Sequence, residues 1–254
     1  MHALFLSPHL DDVAFSCGAT VAALPNDTAA EWRCTVATVF TRSVPDPAGF
    51  ALDCQLDKGV PADADYMALR RAEDERACEC LGAACLHLDL PEAPHRGYAS
   101  AAALFAGVRD DDEIQADLRA ALRALYEADP PDLLVLPAGC GNHADHLHVI
   151  AAAAALADER PVPTLHYRDA PYVVRDPGAA AVAGGEPIAA DAAATLSAKL
   201  DACACYTTQL GFQFGGARRM RRVLTDLAAA EAAAAGQFRY AERFHRGAGG
   251  PAGL

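Results

Sequence analysis

Two short, uninterrupted apolar runs constrain the fold of this chain more than any other feature. Ala3-Leu4-Phe5-Leu6 stops at Ser7-Pro8, and Leu133-Leu134-Val135-Leu136 follows Asp132 and stops at Pro137. Runs of this length, bounded by turn residues and free of polar alternation, read as strands buried on both faces, the pattern of a parallel sheet. Cys34 to Phe40 is rich in β-branched residues and reads as another strand, as do Cys85 to Leu90 and Thr164 to Tyr167. Helix-like stretches separate them: Val13 to Leu24, Tyr66 to Leu81 closed by Gly82, Glu113 to Ala128 with Ile114, Leu118, Leu122 and Leu125 on one side, and His143 to Leu156 with Asn142 as its N-cap. Ala192 to Leu210 and Met220 to Ala235 also look helical. The β–turn–α–β opening predicts a doubly wound α/β fold, with a mostly parallel sheet and helices on both faces. Residues 41–65, 91–112 and 176–186 read as irregular loops, the last as mobile. A single domain is expected over 1–246, with a Gly/Pro-rich flexible tail at 247–254.

Composition narrows the function. With 34 acidic against 21 basic residues the net charge is −13, which argues against a nucleic-acid or anionic-membrane partner. No apolar run approaches the ~18 residues of a membrane span. The N-terminus shows no basic region and cleavage site, so no signal peptide is expected and the location is read as cytoplasmic. The nine cysteines, an odd number without a C-x-x-C pair, read as reduced thiols packed in the core rather than as a metal site. His2, His87, His95 and His245 lack chemical company and read as structural or solvated. The oligomeric state, including a homo-oligomer, is left open.

Chemistry concentrates in two clusters placed just after strands: Ser7-Pro8-His9-Leu10-Asp11-Asp12 and Asn142-His143-Ala144-Asp145-His146-Leu147-His148. Open α/β sheets bind ligands beyond the carboxyl ends of their strands, so both clusters are expected on one rim. Side-by-side carboxylates repel unless a cation or donor takes up the charge, and a divalent metal on one of them does so. His143 and His146, three apart, project to one helix face, while His148 points elsewhere. A His-x-x-Asp pair plus a histidine from His-x-x-His supplies three N/O ligands and an open position, the pattern of a catalytic zinc. Helix capping by Asp11-Asp12 is the plain structural alternative.

These residues resemble a known family. His9-Leu10-Asp11-Asp12 is similar to the His-Pro-Asp-Asp signature of the LmbE-like, or PIG-L, N-acetylglucosaminyl deacetylases, with Leu10 in place of the usual proline. Arg70-Arg71-Ala72-Glu73 with Ala77, Leu81-Gly82 and Leu88-Asp89-Leu90-Pro91 resembles the family's central helix and third strand. His143-Ala144-Asp145-His146, Tyr167-Arg168-Asp169-Ala170-Pro171-Tyr172, and Lys199 with Tyr206-Thr207-Thr208-Gln209 follow in the family's order, so the resemblance runs from about Leu4 to Gln209.

The resemblance implies a Rossmann-like fold, a divalent metal, usually zinc, and hydrolysis of an N-acyl group on a small amino-sugar conjugate. By position it implies His9, Asp12 and His146 as metal ligands, Asp11 as general base, and His143 as the electrophilic or acid group, oriented by Asp145. Arg70, Arg71 and Glu92 are candidates for substrate binding. Two departures stand out: Glu92 falls where the family carries another acidic residue, and Gly141 falls where some members have tyrosine. A hydrolase of another amide or of a phosphoester is the alternative reading, the latter usually with two metals about 4 Å apart. A nucleotide binder is disfavoured, because its Gly-rich turn is absent from Ser7-Pro8-His9-Leu10-Asp11.

Overall fold

Seven strands form one sheet in the order β3-β2-β1-β4-β5-β7-β6 in the computed structural model of the chain, which describes residues 1–27 and 30–251. In chain order the elements begin β1 (His2–Ser7), α1 (Asp12–Ala23), β2 (Arg33–Thr38), α2 (Gly49–Leu56), α3 (Tyr66–Leu81) and β3 (Ala84–His87). They continue with α4 (Ala101–Leu104), α5 (Gln115–Ala128), β4 (Leu133–Pro137), α6 (Ala144–Glu159), β5 (Thr164–Tyr167) and α7 (Tyr172–Arg175). The chain closes with β6 (Pro187–Asp191), α8 (Leu196–Ala204), α9 (Thr207–Phe214), α10 (Ala217–Ala235) and β7 (Ala241–Arg246). Strands β1 to β5 pair parallel with one another, and β7 pairs antiparallel with both β5 and β6.

The apolar runs explain the layers. In β1 and β4, Leu4, Leu6, Leu134 and Leu136 pack with Leu118 and Leu122 of α5 and Val149 and Ala152 of α6. Ala3, Phe5, Leu133 and Val135, on the other face, pack with Val13 and Val21 of α1, Ala77 and Leu81 of α3, and Met220 and Leu224 of α10. A strand apolar at every position therefore feeds two cores, and the result is the expected three-layer, Rossmann-like α/β arrangement.

Helix α3 spans the residues its pattern predicts. Asp65 caps its start by accepting from Ala68 N, and Gly82 ends it in the left-handed region at φ 68°. Elsewhere the structure corrects the reading. Residues 41–65 contain α2, and 91–112 contain a 3-10 turn at Ala93–Arg96 and α4. The helix expected over Ala192 to Leu210 breaks between α8 and α9. Glu73 drives the break by accepting from Thr208 N at 2.9 Å and Thr208 Oγ1 at 2.7 Å, which holds the new helix start. Strands β6 and β7 were not anticipated, since β7 carries Glu242, Arg243 and Arg246. The tail expected from Gly247 begins paired: Gly247 N donates to Thr164 O and Thr164 N to Ala248 O. Residues 252–254 of that tail lie outside the described residues.

Burial of Glu242 has a specific cause. Helix α1 kinks at Cys17 (φ −137°, ψ 24°), which frees backbone groups on either side. Glu242 accepts from Ala19 N (3.0 Å) and Thr20 N (2.7 Å), while Lys199 Nζ donates to Ser16 O (3.1 Å) and to Glu242 Oε1 (2.6 Å). The ion pair thus ties β7 and α8 to the bend in α1. Lys199→Ala leaves a buried carboxylate without its counter-charge and is expected to cost about 3–5 kcal/mol in chemical denaturation; a loss below about 1 kcal/mol would contradict this account of the kink.

Candidate active site

The sheet reverses its strand order between β1 and β4, which pair in register Leu4↔Leu134. Chains leaving these two strands diverge, and a crevice opens between them. The His9–Asp12 turn leaves β1, and the Gly139–His143 turn leaves β4, so the two polar clusters face each other at this point. The crevice continues into a cleft of about 600 Å³ whose lining includes His9, Asp11, Asp12, Tyr66, His143 and Tyr172.

The first turn is built by its own side chains. Ser7 Oγ donates to His9 O (2.7 Å) and accepts from Val13 N (3.2 Å), and Asp12 Oδ2 accepts from His9 N (2.8 Å). Asp11 adopts φ 156°, ψ −24°, a conformation that side-chain-bearing residues rarely take, and its buried carboxylate lines the cleft. Burial pushes the Asp11 carboxyl up to about 7, opposed by the Arg70 guanidinium and reinforced by Asp12.

Asp12 Oδ2 lies 3.1 Å from His9 Nδ1 and 3.2 Å from His146 Nε2. Each imidazole presents one nitrogen to this point and gives the other to a carboxylate: His9 Nε2 to Asp145 Oδ2 at 2.9 Å, His146 Nδ1 to Asp169 Oδ1 at 2.6 Å. That second partner fixes ring orientation and is the usual support of a metal-binding histidine. His146 Nε2 is buried without a hydrogen-bond partner among the described residues. Donors on a tetrahedral ion with ~2.0 Å bonds stand about 3.3 Å apart, close to the separations found here. His9, Asp12 and His146 therefore form a group that can hold a metal ion. Although burial alone lowers both imidazoles, the surrounding carboxylates outweigh it and push them up, His146 to about 9. The pocket favours positive charge at this spot.

Asp145 differs from the expectation. Its carboxylate holds His9, not His143, and is itself held by Arg96 Nη2 (2.7 Å) and Ala93 N (3.1 Å). Its contact with His143 is through the backbone: Asp145 N donates to His143 Nδ1 at 3.2 Å, which makes His143 the N-cap of α6 in place of the expected Asn142. With Nδ1 accepting, neutral His143 carries its proton on Nε2. Burial, together with the neighbouring His9 and His146, lowers His143 to about 3, so it is a neutral donor at pH 7. Tyr172 stacks on the His143 ring at 6.2 Å and Phe105 meets its edge at 5.3 Å. Gly141, at φ 90°, lets Tyr172 approach: a Cβ there would lie 2.9 Å from the Tyr172 Cβ. Tyr172 thus packs directly on the backbone of Gly141, where a side chain would not fit.

Arg70 and Glu92 line the cleft and pair through Arg70 Nη1 and Glu92 Oε1, with Arg70 Nη2 3.3 Å from Leu10 O and 3.8 Å from Asp11 Oδ1. Arg71 is not brought to the cleft. It donates to Thr41 O (2.6 Å) and Ser43 Oγ (3.1 Å) and borders a separate cavity. The sequence reading missed the support supplied by Arg96, and it took Asp169 only as part of a longer resemblance. The position of Asp169 two residues beyond the end of β5, on the same rim, was the available signal.

A doubly wound sheet with this His/Asp group at its switch point defines a Rossmann-like protein with a candidate metal centre. The PIG-L family, described as GlcNAc-PI de-N-acetylase, matches residues 4–157, and the chain belongs to it. The 2′-N-acetylparomamine deacetylase of Streptomyces fradiae is 36% identical over 171 residues, which cover 66% of this chain but only 57% of that protein. Among solved structures, the zinc-inhibited form of teicoplanin deacetylase Orf2 superposes with a TM-score of 0.82 at 25% identity, over 98% of this chain and 99% of the other. The A40926 pseudoaglycone deacetylase Dbv21 gives 0.81 at 26% identity, over 96% of each. Among the described residues no helix is long and apolar enough to cross a membrane.

The support of His146 gives a direct test. Asp169→Asn is expected to weaken divalent-metal binding about 10–100-fold in calorimetric titration; an unchanged Kd would show that Asp169 does not position His146 for metal.

Proposed function

We propose that this chain is a metal-dependent deacetylase that hydrolyses the N-acetyl group of a small amino-sugar conjugate, with zinc held by His9, Asp12 and His146. The observation that carries this reading is the meeting of three metal-type donors, a buried carboxylate and a neutral imidazole N–H at one end of a single cleft. When bound, zinc would lower the pKa of a water and polarise the amide carbonyl.

The chain's own groups supply the rest. Asp11 lies beside the donor group without being one of its three, so its carboxylate is free to accept a proton from the attacking water. Its raised pKa makes it a usable base near neutrality and a usable acid afterwards, when the same proton passes to the departing amine. His143 Nε2–H donates to the carbonyl oxygen as negative charge develops there, and its low basicity keeps that proton in place. Arg70, anchored on Glu92, stands behind Asp11 and holds it in position. Water adds to the acyl carbon, the C–N bond breaks, and acetate and a free amine leave.

The cleft suits the substrate class. Its volume is in the range for ligands of several hundred ångström cubed. Phe50, Tyr66, Phe105 and Phe212 offer faces for sugar rings, and Lys58 and Glu92 offer partners for hydroxyl or amino groups. The names of the relatives, a 2′-N-acetylparomamine deacetylase and a teicoplanin deacetylase, support an amino-sugar substrate. A two-metal phosphoesterase is less well served. The second donor group at the cleft shares His9 and uses Asp145, whose oxygens are already engaged by Arg96 and Ala93 N. We further assign residues 1–246 to one deacetylase domain and the reaction to the cytoplasm, the latter on the odd set of nine thiols.

Asp11→Asn is expected to keep zinc while losing most turnover on N-acetylated amino sugars, and His146→Ala to lose both. Amine release and metal content report the two properties, and full activity in Asp11→Asn would remove the base from the scheme. Because the base acts unprotonated, kcat/KM should fall as pH drops through the Asp11 range, at or below 7. A rate that rises steadily towards pH 5 would contradict that role.

A further inference from the structure

A second group of metal-type donors lies at the edge of the sheet, away from the cleft. Among the described residues strand β3 is the outermost strand on its side and pairs with β2 alone. Cys85 and His87 are two apart on it and so share one face. That face meets α3, where Asp74 is fully buried, while Leu86 points the other way and is 41% exposed. None of the three donors lines the catalytic cleft.

The three side chains converge on one point. Cys85 Sγ is 3.4 Å from His87 Nε2 and 3.7 Å from Asp74 Oδ2, and His87 Nε2 is 3.1 Å from Asp74 Oδ2. Hydrogen bonds can join all three without a metal: the Cys85 thiol and His87 Nε2–H can both donate to Asp74 Oδ2. What points to a metal is the meeting of a thiol, an imidazole nitrogen and a carboxylate within 4.8 Å of one another. A cation among them can take all three as ligands in place of the protons they share. Ligand separations on tetrahedral zinc are about 3.3 Å between N and O and about 3.5 Å when sulfur takes part, given bonds of about 2.0 and 2.3 Å. The carboxylate is also preset: Thr38 Oγ1 donates to Asp74 Oδ2 at 2.9 Å, and Tyr206 OH to Oδ1 at 2.6 Å.

We propose that Asp74, Cys85 and His87 form a second metal site, selective for a borderline-soft divalent cation such as zinc, with its fourth position open to the neighbouring surface cavity. That cavity, about 380 Å³, is bordered by His87, Thr41 and Arg71, and gives the ion a route in. One thiolate, one carboxylate and a neutral imidazole balance the charge of a divalent ion, and binding releases to solvent the proton of Cys85 and the extra proton of the His87 imidazolium. Thiolate and imidazole together favour zinc over the hard cations magnesium and calcium. The site clamps the edge strand β3 to α3, and through Tyr206 it reaches the start of α9. Its chemistry is structural and independent of the deacetylase reaction.

Sulfur distinguishes this site from the cleft, whose donors are only nitrogen and oxygen. The full chain, stripped of metal and kept reduced, is titrated with cobalt(II) alone. A thiolate-to-cobalt charge-transfer band in the near ultraviolet is expected in the wild type. The band should persist in His146→Ala, disappear in Cys85→Ser and weaken in His87→Ala. Cys85→Ser and His87→Ala should keep deacetylase activity. No such band in the folded wild type at saturating cobalt, or a band that survives Cys85→Ser, overturns the proposal. The readout does not depend on the enzyme's substrate, so failure of the functional reading leaves it unaffected.

Discussion

Parallel pairing of β1 with β4 at the point where strand order reverses is the constraint on which the site depends. It brings His9–Asp12 and His143–His146, more than 130 residues apart in the chain, to the two sides of one crevice. The pairing rests on two apolar runs able to pack helices on both faces, and the polar turns follow because a strand must end before its chain can leave the sheet. The chemistry is thus an extension of core packing: the core fixes the spacing, and the turns carry the reactive groups.

Charge decides what the crevice can hold. Asp12, Asp145 and Asp169 surround two imidazoles, and each of these buried carboxylates has a defined partner. Buried carboxylates at this density need compensating positive charge. Arg96 supplies it for Asp145 and Arg70 for Asp11 and Glu92, whereas Asp12 has only the two imidazoles. Asp12 is therefore where a cation gains most. Asp11 and His143 flank that spot in opposite states, one carboxyl pushed up by burial and one imidazole pushed down, which separates the proton acceptor from the hydrogen-bond donor.

Periodicity and composition made β1, β2, β4, β5 and α3 legible, because each follows from local residues alone: β-branched or apolar runs, the Asp65 cap, Gly82. The two reactive clusters were legible for the same reason. What escaped depends on partners distant in sequence. Strand β7 reads as polar, and Glu242 becomes a core residue only because the α1 kink and Lys199 surround it. The break after α8 is imposed by Glu73, over a hundred residues earlier. Asp145 was assigned to its sequence neighbour His143, but the fold turns it onto His9, 136 residues away. Arg71 sits beside Arg70 in sequence, yet one helical step of about 100° carries it to another cavity. Cys85 and His87 were read as a core thiol and a structural or solvated imidazole because Asp74, the third member of their group, is on another element.

The central claim is that one metal ion sits among His9, Asp12 and His146. Anomalous diffraction from zinc-loaded crystals, recorded on either side of the zinc absorption edge, tests it most directly. The account predicts a peak bonded to His9 Nδ1, Asp12 Oδ2 and His146 Nε2, with Asp11 outside the coordination sphere. Zinc bound elsewhere in the cleft, with no peak between these three atoms, would contradict it.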